Sequence, residues 1–264
     1  MTDPSLSEHW RDAIVAALEN LEAARERGAS HEARKSAKRA RALARLAPAS
    51  LHALARSTQH AASAARRALG ETRDAEVRRQ TLAALEPHAP GAGAAFAAML
   101  ERNGPQASAP SQSASAFEAL AAEWRAIDAS GIAVSDLVEA TQKVYRRGRK
   151  RLKQAADGET DDLHRLRRSA VDLQYQVFLL AAHAPKLGDI YAAAKSARDA
   201  LGEVNDIDVL MVHLDALAPQ RYEAFAKPFR RRRKDLLKRA MKAAERLFAE
   251  KPSAFGARIE KGLR

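Results

Sequence analysis

The 264-residue chain has no cysteine, few aromatic residues and no long apolar run. Without cysteine it forms neither disulfides nor zinc-thiolate sites, and thiol catalysis is excluded. Phe, Trp and Tyr make up only 5% of the residues, which disfavours a β-sheet protein. No stretch approaches the roughly 18 apolar residues of a membrane span, and the first residues lack the pattern of a signal peptide. We therefore expect a soluble, cytoplasmic protein.

What the sequence does have is alanine, leucine and positive charge. The hydrophobic share of 46% is enough for one or two packed domains. Alanine and leucine at helical spacing predict an all-α fold. Lys and Arg number 45 against 33 Asp and Glu, which gives a net charge of +12. This balance indicates a polyanionic partner, which could be nucleic acid, an anionic membrane or polymeric phosphate.

The apolar periodicity, together with proline and glycine at the breaks, predicts a series of helices. The left-handed conformation that ends a helix is expected at Gly28, Gly70 and Gly202. Residues 103–116 are small, polar and contain two prolines, so they are interpreted as a linker between a first helical half, 1–102, and a second, 117–264. The predicted helices are 6–27, 31–47, 50–69, 74–87, 91–102, 117–128, 135–156, 160–183, 187–201, 205–217 and 219–249.

An internal repeat is the strongest signal in the sequence. A basic heptapeptide that begins with histidine occurs at 31–37 and again at 164–170. Residues 64–77 align without gaps on 196–209, with eight of fourteen positions identical, and both contain Leu-Gly-Glu-x-x-Asp. The nearly constant offset predicts two pseudosymmetric helical bundles that arose by duplication and enclose a basic central groove or pore. The aspartates that close the Leu-Gly-Glu-x-x-Asp motif, Asp74 and Asp206, are interpreted as helix N-caps.

The first histidine helix has one face of alanine and one of positive charge. On a helical wheel, six basic residues fall within a sector of about 120°, and no acidic residue at helical spacing neutralises them. Like charges on adjacent turns repel each other, so the pattern predicts a surface that binds a polyanion. An ordinary surface helix with a positive bias is the alternative. The six residues are His31, Arg34, Lys35, Lys38, Arg41 and Arg45.

The second histidine helix begins in the same way and then departs. His164, Arg167 and Arg168 repeat the basic pattern, but Val171 and Gln174 stand where the first copy has Lys38 and Arg41, and Tyr175 and Phe178 follow on the same side. This copy is therefore predicted to bind phosphate less strongly over its C-terminal half.

A third basic segment lies on the helix predicted at 135–156. Arg147 and Arg151 border its apolar stripe and are expected to reach a groove between helices, whereas Arg146, Arg149 and Lys150 are expected to face water. Gly148 lies in the stripe and is predicted to allow a close helix crossing.

These motifs resemble the CHAD domain, the conserved-histidine α-helical domain. The resemblance rests on the His-x-x-Arg-Lys-x-x-Lys-Arg-x-Arg pattern at 31–41, its partner at 164, Tyr-Arg-Arg-Gly-Arg at 145–149 and the paired Leu-Gly-Glu-x-x-Asp motifs, and it covers about 6–255. It implies a non-catalytic protein that binds inorganic polyphosphate, in some members at polyphosphate granules. No Glu-x-Glu-x-Lys motif precedes it, so the chain is similar to the stand-alone members. The residues carried over are His31, Arg34, Lys35, Lys38, Arg39, Arg41, His164, Arg167 and Arg168.

Other functions fit the residues less well. Nucleic-acid binding suits the charge, but no helix carries the mixture of Asn, Gln and Arg that reads bases, and aromatic residues are few for stacking. An enzyme is disfavoured because there is no Gly-rich phosphate loop, metal-ligand spacing or carboxylate pair, so no catalytic residue, cofactor or metal is expected. A phosphohistidine at His31 stays open. Membrane attachment would need large apolar residues opposite the charge, and here mainly alanine and leucine are found.

Overall fold

The computed structural model describes residues 5–102 and 114–264, and in these residues the chain forms α-helices and short 3-10 turns without a strand. The all-α prediction is confirmed. The helices are α1 Leu6–Glu26, α2 Ser30–Ala44, α3 His52–Ala68, α4 Gly70–Leu85, α5 Ala92–Arg102, α6 Ala114–Arg125, α7 Val134–Gln154, α8 Thr160–Ala181, α9 Gly188–Leu217, α10 Pro219–Leu247 and α11 Pro252–Leu263.

Two tryptophans hold α1, α2, α3 and α6 together. The Trp10 ring of α1 meets the Trp124 ring of α6 edge to face, with centroids 5.4 Å apart. Both side chains are fully buried, and both indole N–H groups have acceptors. Trp10 Nε1 donates to the Leu43 carbonyl of α2 at 2.9 Å, and Trp124 Nε1 donates to Thr58 Oγ1 of α3 at 2.9 Å. Because both indole N–H groups are hydrogen-bonded, burying these rings leaves no polar group without a partner.

Helices that precede the predicted linker pack against helices that follow it. Helix α6, which follows it, packs on α1 and α3, whereas α4, which precedes it, packs on α9. Phe96 of α5 also contacts Phe225 of α10, with ring centroids 5.7 Å apart. Of the predicted linker, residues 103–113 lie outside the described residues and 114–116 begin α6.

The two histidine helices, α2 and α8, contact each other. Gln176 Nε2 of α8 donates to the Ala42 carbonyl of α2 at 2.9 Å, and Arg41 of α2 forms an ion pair with Asp172 of α8. The alanine face predicted for α2 is buried, which allows close packing. The duplication itself stays a prediction.

Helix α9 is continuous where two helices, 187–201 and 205–217, were predicted. Gly202 lies inside it and is not among the glycines with positive φ, so it is no left-handed cap. A Cβ atom at Gly202 would lie 3.4 Å from Arg167 Nη2, and the glycine instead lets that guanidinium approach the helix. Because α9 continues, Asp206 lies in its interior and is not an N-cap, contrary to prediction.

Of the other glycine and cap predictions, that for Gly28 is confirmed and those for Gly70 and Asp74 are wrong. Gly28 has φ 67° and ends α1 as predicted. Gly70 is the first residue of α4, not a left-handed cap, and Asp74 lies within α4. Helix α11 was not predicted, since only Phe255 and Ile259 mark its buried side.

Helix α7 packs on α11 through an aromatic cluster. Tyr145 stacks on Phe255 with centroids 3.8 Å apart and planes 9° apart, and Phe248 packs beside it. Arg149 was expected to face water, but its Nη1 donates to the carbonyls of Ala249, at 3.0 Å, and Glu250. These carbonyls lie just after α10, where backbone acceptors lack helical donors. Arg149 points towards the protein because it supplies the missing donor.

Replacing Gly148 of α7 with alanine is expected to destabilise the protein. A Cβ there would lie 2.2 Å from Phe248 Cε1, and that ring is only 2% exposed, so it cannot move aside freely. Overpacking of this kind costs about 1–3 kcal/mol, which thermal unfolding would show as a lower Tm. Gly131→Ala is the control, because no atom lies within 4 Å of its Cβ position. Equal Tm values for the two variants would contradict the close contact.

Candidate anion-binding site

A cavity of about 720 Å³ lies between α2, α8 and α9. One wall is the predicted basic face of α2, and α8 adds Arg167. Helix α9 adds two further cations, Lys195 and Arg198. The remaining lining is aromatic, apolar or acidic. The basic wall from α2 consists of His31, Arg34, Lys35, Lys38 and Arg39, and the rest of the lining consists of Val171, Gln174, Tyr175, Phe178, Tyr191, Asp199, Gly202, Glu203 and Asp206.

A second group of cations adjoins the cavity, and we refer to it as the arginine cluster. Its members come from four helices and influence one another electrostatically. Burial lowers the pKa of Arg45, and Arg41, Arg147 and Arg168 lower it further against the opposing effect of Asp172. The arginine cluster consists of Arg41, Arg45, Arg66, Arg147, Arg151 and Arg168.

One buried carboxylate neutralises part of this charge. Asp172 of α8 is 4% exposed and accepts from Arg41 Nη2 at 2.7 Å, while Arg45 Nε lies 3.2 Å from its other oxygen. The basic face of α2 is therefore partly neutralised by a residue of α8, which the wheel did not predict. A wheel shows only the residues of its own helix, and this counter-charge comes from another one.

Arg66 of α3 joins the cavity to the arginine cluster. Burial lowers its pKa, and Arg41, Arg34, Arg168 and Arg167 lower it further. Among the side chains that the structure describes, no carboxylate forms an ion pair with Arg66, and its buried Nε has no hydrogen-bond partner. Five guanidinium groups thus lie close together around Arg66, and such a concentration of positive charge attracts an anion.

Sequence reasoning missed Arg66 and Arg198, although a signal was present. The two residues occupy the same position in the gap-free alignment of 64–77 on 196–209, and arginine is identical there. In the structure Arg198 lines the cavity and donates from Nη1 to Gln174 Oε1 at 2.9 Å. The identity of arginine at this position in both copies therefore predicts a residue near the cavity.

Backbone and side-chain acceptors orient several of these cations. Arg34 Nη1 donates to the Leu69 carbonyl at 3.1 Å, where α3 ends. Arg151 Nη1 donates to Ser169 Oγ at 2.9 Å and to the Arg165 carbonyl at 3.1 Å. The acceptors of Arg151 are neutral, so they orient its guanidinium group without cancelling its charge.

The two motif histidines lie in different surroundings. His31 is exposed at the cavity, whereas His164 is half-buried beside the arginine cluster. His164 Nδ1 lies 3.2 Å from Asn205 Oδ1. Because an amide oxygen only accepts, Nδ1 is the donor in this hydrogen bond. Burial lowers the pKa of His164, and Arg168, Arg167 and Arg66 add to that effect.

In the basic run of α10, some of the arginines are paired with acidic residues. Arg233 pairs with the buried Asp208, and Arg239 Nη1 lies 3.5 Å from Glu203 Oε2. On α2, by contrast, neither Lys35 nor Arg39 has a carboxylate of the described part of the chain within 4 Å. Lys35 and Arg39 therefore present to the cavity positive charge that no described carboxylate pairs with.

Comparison with known protein families agrees with this geometry. A model of the CHAD domain matches residues 8–215, more than three quarters of the chain. The chain belongs to the CHAD domain family. CHAD domains are associated with polyphosphate binding. The match ends within α9, so α10 and α11 lie beyond it, although the sequence resemblance was placed over about 6–255.

No curated protein and no solved structure matched the chain. Among the helices of the described ranges, none is both long and apolar enough to cross a bilayer. In the same ranges no group of three or more His, Asp or Glu side chains is arranged to hold a metal ion.

The CHAD structure brings the twelve predicted site residues into two adjoining groups. Their role in binding stays a prediction. Arg41 is buried and Arg45 is partly paired, so these two have less freedom to meet a ligand than the wheel suggested. The cavity group is His31, Arg34, Lys35, Lys38, Arg39 and Arg167, and the group beside it is Arg41, Arg45, Arg147, Arg151, His164 and Arg168.

The free energy of unfolding is expected to fall as the pH drops below about 6.5. Burial lowers the pKa of His9, His164 and His213 in the folded state, so the unfolded chain takes up protons first. Above that pH both states are neutral at these rings and the effect vanishes. Thermal unfolding between about pH 7.5 and pH 5.5 measures it. The triple variant His9→Gln/His164→Gln/His213→Gln should flatten the slope, and an unchanged slope would contradict this assignment.

Proposed function

We propose that this CHAD protein binds inorganic polyphosphate and performs no chemistry on it. The observation that carries the proposal is the concentration of cations on α2 and α8, from the cavity through Arg66 into the arginine cluster. A linear polyphosphate repeats its charge at short intervals along a flexible chain. It can therefore follow such a path, whereas a single small anion would meet only part of it.

The cations would contribute in different ways. Lys35, Lys38 and Arg39 line the open cavity and would contact phosphate oxygens directly. Arg66 and Arg168 would carry the chain onward, since an arginine fork binds two oxygens where a lysine acts as a point charge. Each contact releases counterions, so affinity should rise with chain length and fall with salt.

Arg41, the buried member of the arginine cluster, would act on the ligand at a distance. Arg41 is 7% exposed and committed to Asp172, so it would raise the local potential without touching the ligand. Before the ligand arrives, the remaining cations repel one another, and a bound polyanion relieves that repulsion. The charge that is unfavourable in the free protein thus becomes the source of affinity.

The absence of catalysis is part of the proposal and rests on the sequence. No Gly-rich phosphate loop and no metalloprotein motif accompanies the basic residues. Binding without turnover suits a protein that attaches to polyphosphate granules, and we propose the cytoplasm, at such granules, as its place of action.

Replacing Lys35 and Lys38 together with alanine should weaken binding of long-chain polyphosphate by about tenfold to a hundredfold at low salt, since each of the two contacts contributes a net free energy of about 0.5–1.5 kcal/mol. Helicity and Tm should stay nearly unchanged, because Lys35 is exposed and Lys38 is only half-buried. Isothermal titration calorimetry measures the affinity. Lys227→Ala/Lys261→Ala removes the same charge from exposed positions outside the cavity. Equal weakening by both double variants would show that only net charge matters.

Competition separates polyphosphate from nucleic acid as the ligand. Duplex DNA or RNA at equal phosphate concentration should fail to displace long-chain polyphosphate, because a stiff duplex cannot follow the cations from the cavity into the arginine cluster as a flexible chain can. Fluorescence anisotropy of end-labelled polyphosphate reports the displacement. Efficient displacement by either duplex would favour a nucleic-acid-binding protein instead.

A further inference from the structure

The cavity has an aromatic end that the proposed function does not use. Phe178 of α8 is 50% exposed, and its ring centroid lies 5.4 Å from that of Tyr191 on α9. Tyr175 lies one turn before Phe178 and also lines the cavity. The half-exposed ring of Phe178 therefore offers a flat apolar surface on which an aromatic group could stack.

This end is poorly suited to a chain of inorganic phosphates. At the repeat offset of 133, Phe178, Val171 and Gln174 stand where the first copy has Arg45, Lys38 and Arg41. Phosphate oxygens gain nothing against a phenyl ring and keep their hydration better elsewhere. A ligand that fills the whole cavity therefore needs a part that is not phosphate.

Cations border the aromatic end on two sides. Arg39 of α2 and Arg198 of α9 line the same cavity, and Tyr175 lies within the electrostatic influence of both. Arg198 is held in place, because Nη1 donates to Gln174 Oε1 at 2.9 Å and Nε donates to Asp199 Oδ1 at 2.8 Å. An aromatic group on Phe178 would thus lie next to positions for successive phosphates.

We propose that the cavity binds nucleoside triphosphates, with the base on Phe178 beside Tyr191 and the phosphates on Lys35, Lys38 and Arg39. A planar base stacks on aromatic side chains regardless of its identity. The cavity volume of about 720 Å³ lies within the range of about 300–1,000 Å³ that is usual for small-molecule sites. The inference rests on the proposed function, because both ligands use the same α2 cations.

Shared cations make the two ligands competitors. A nucleoside triphosphate in the cavity would occupy Lys35 and Lys38 and would exclude polyphosphate from them. The arginine cluster, with Arg66 and Arg168, would stay available to a long chain. Nucleotide should therefore weaken polyphosphate binding without abolishing it. The fraction of protein with bound polyphosphate would then depend on the nucleotide concentration.

Calorimetric titration with ATP and with inorganic tripolyphosphate, both without metal ions, tests the inference. Tripolyphosphate carries at least as much charge as the phosphates of ATP, so electrostatics alone would favour it. We expect ATP to bind about tenfold more tightly, as one stacked base allows. Phe178→Ala should remove this advantage and leave tripolyphosphate binding unchanged, whereas Phe178→Tyr should retain it. Val212→Ala is the control, since Val212 is 73% exposed on α9 and lies outside the cavity.

The outcomes separate this inference from the proposed function. Equal or weaker binding of ATP, or an advantage that survives Phe178→Ala, overturns the nucleotide site even if long-chain polyphosphate binds well. Tight, Phe178-dependent ATP binding without binding of long-chain polyphosphate would uphold the nucleotide site and overturn the proposed function.

Discussion

The contact on which this structure depends is the buried carboxylate of Asp172 between Arg41 and Arg45. Two basic helices, α2 and α8, cross at the centre of the molecule, and their charges alone would drive them apart. Asp172 offsets part of that repulsion from a position only 4% exposed. Loss of one partner of such a buried pair costs about 3–5 kcal/mol, because the other charge is left uncompensated. The alanine face of α2 is buried on the side of the helix opposite these arginines.

With the crossing held in this way, Lys35, Arg39 and Arg66 have no paired carboxylate among the described side chains. Lys35 and Arg39 face the cavity, and Arg66 lies among four other guanidinium groups. The two histidine helices are unequal partners in this arrangement. Helix α2 supplies most of the charge of the cavity, while α8 supplies Arg167, the counter-ion and an apolar surface that ends in Phe178.

Much of this could be predicted from sequence because helical periodicity places residues on faces. The basic face of α2 and its interruption on α8 at Val171 and Gln174 follow from spacing alone. The role of Asp172 does not, because a counter-ion from another helix has no signature in local spacing. The course of α9 was misjudged because Gly202 suggests a cap, whereas it makes room for Arg167. Identical residues in both copies, Arg66 and Arg198 among them, were the unused signal.

Lysine acetylation in the presence and absence of long-chain polyphosphate, read by mass spectrometry, tests the central claim most directly. If polyphosphate binds where α2 and α8 meet, Lys35 and Lys38 should be protected strongly, while Lys234 and Lys238 on the exposed side of α10 should react as before. Protection centred on the α10 lysines, with Lys35 and Lys38 reacting freely, would contradict the account.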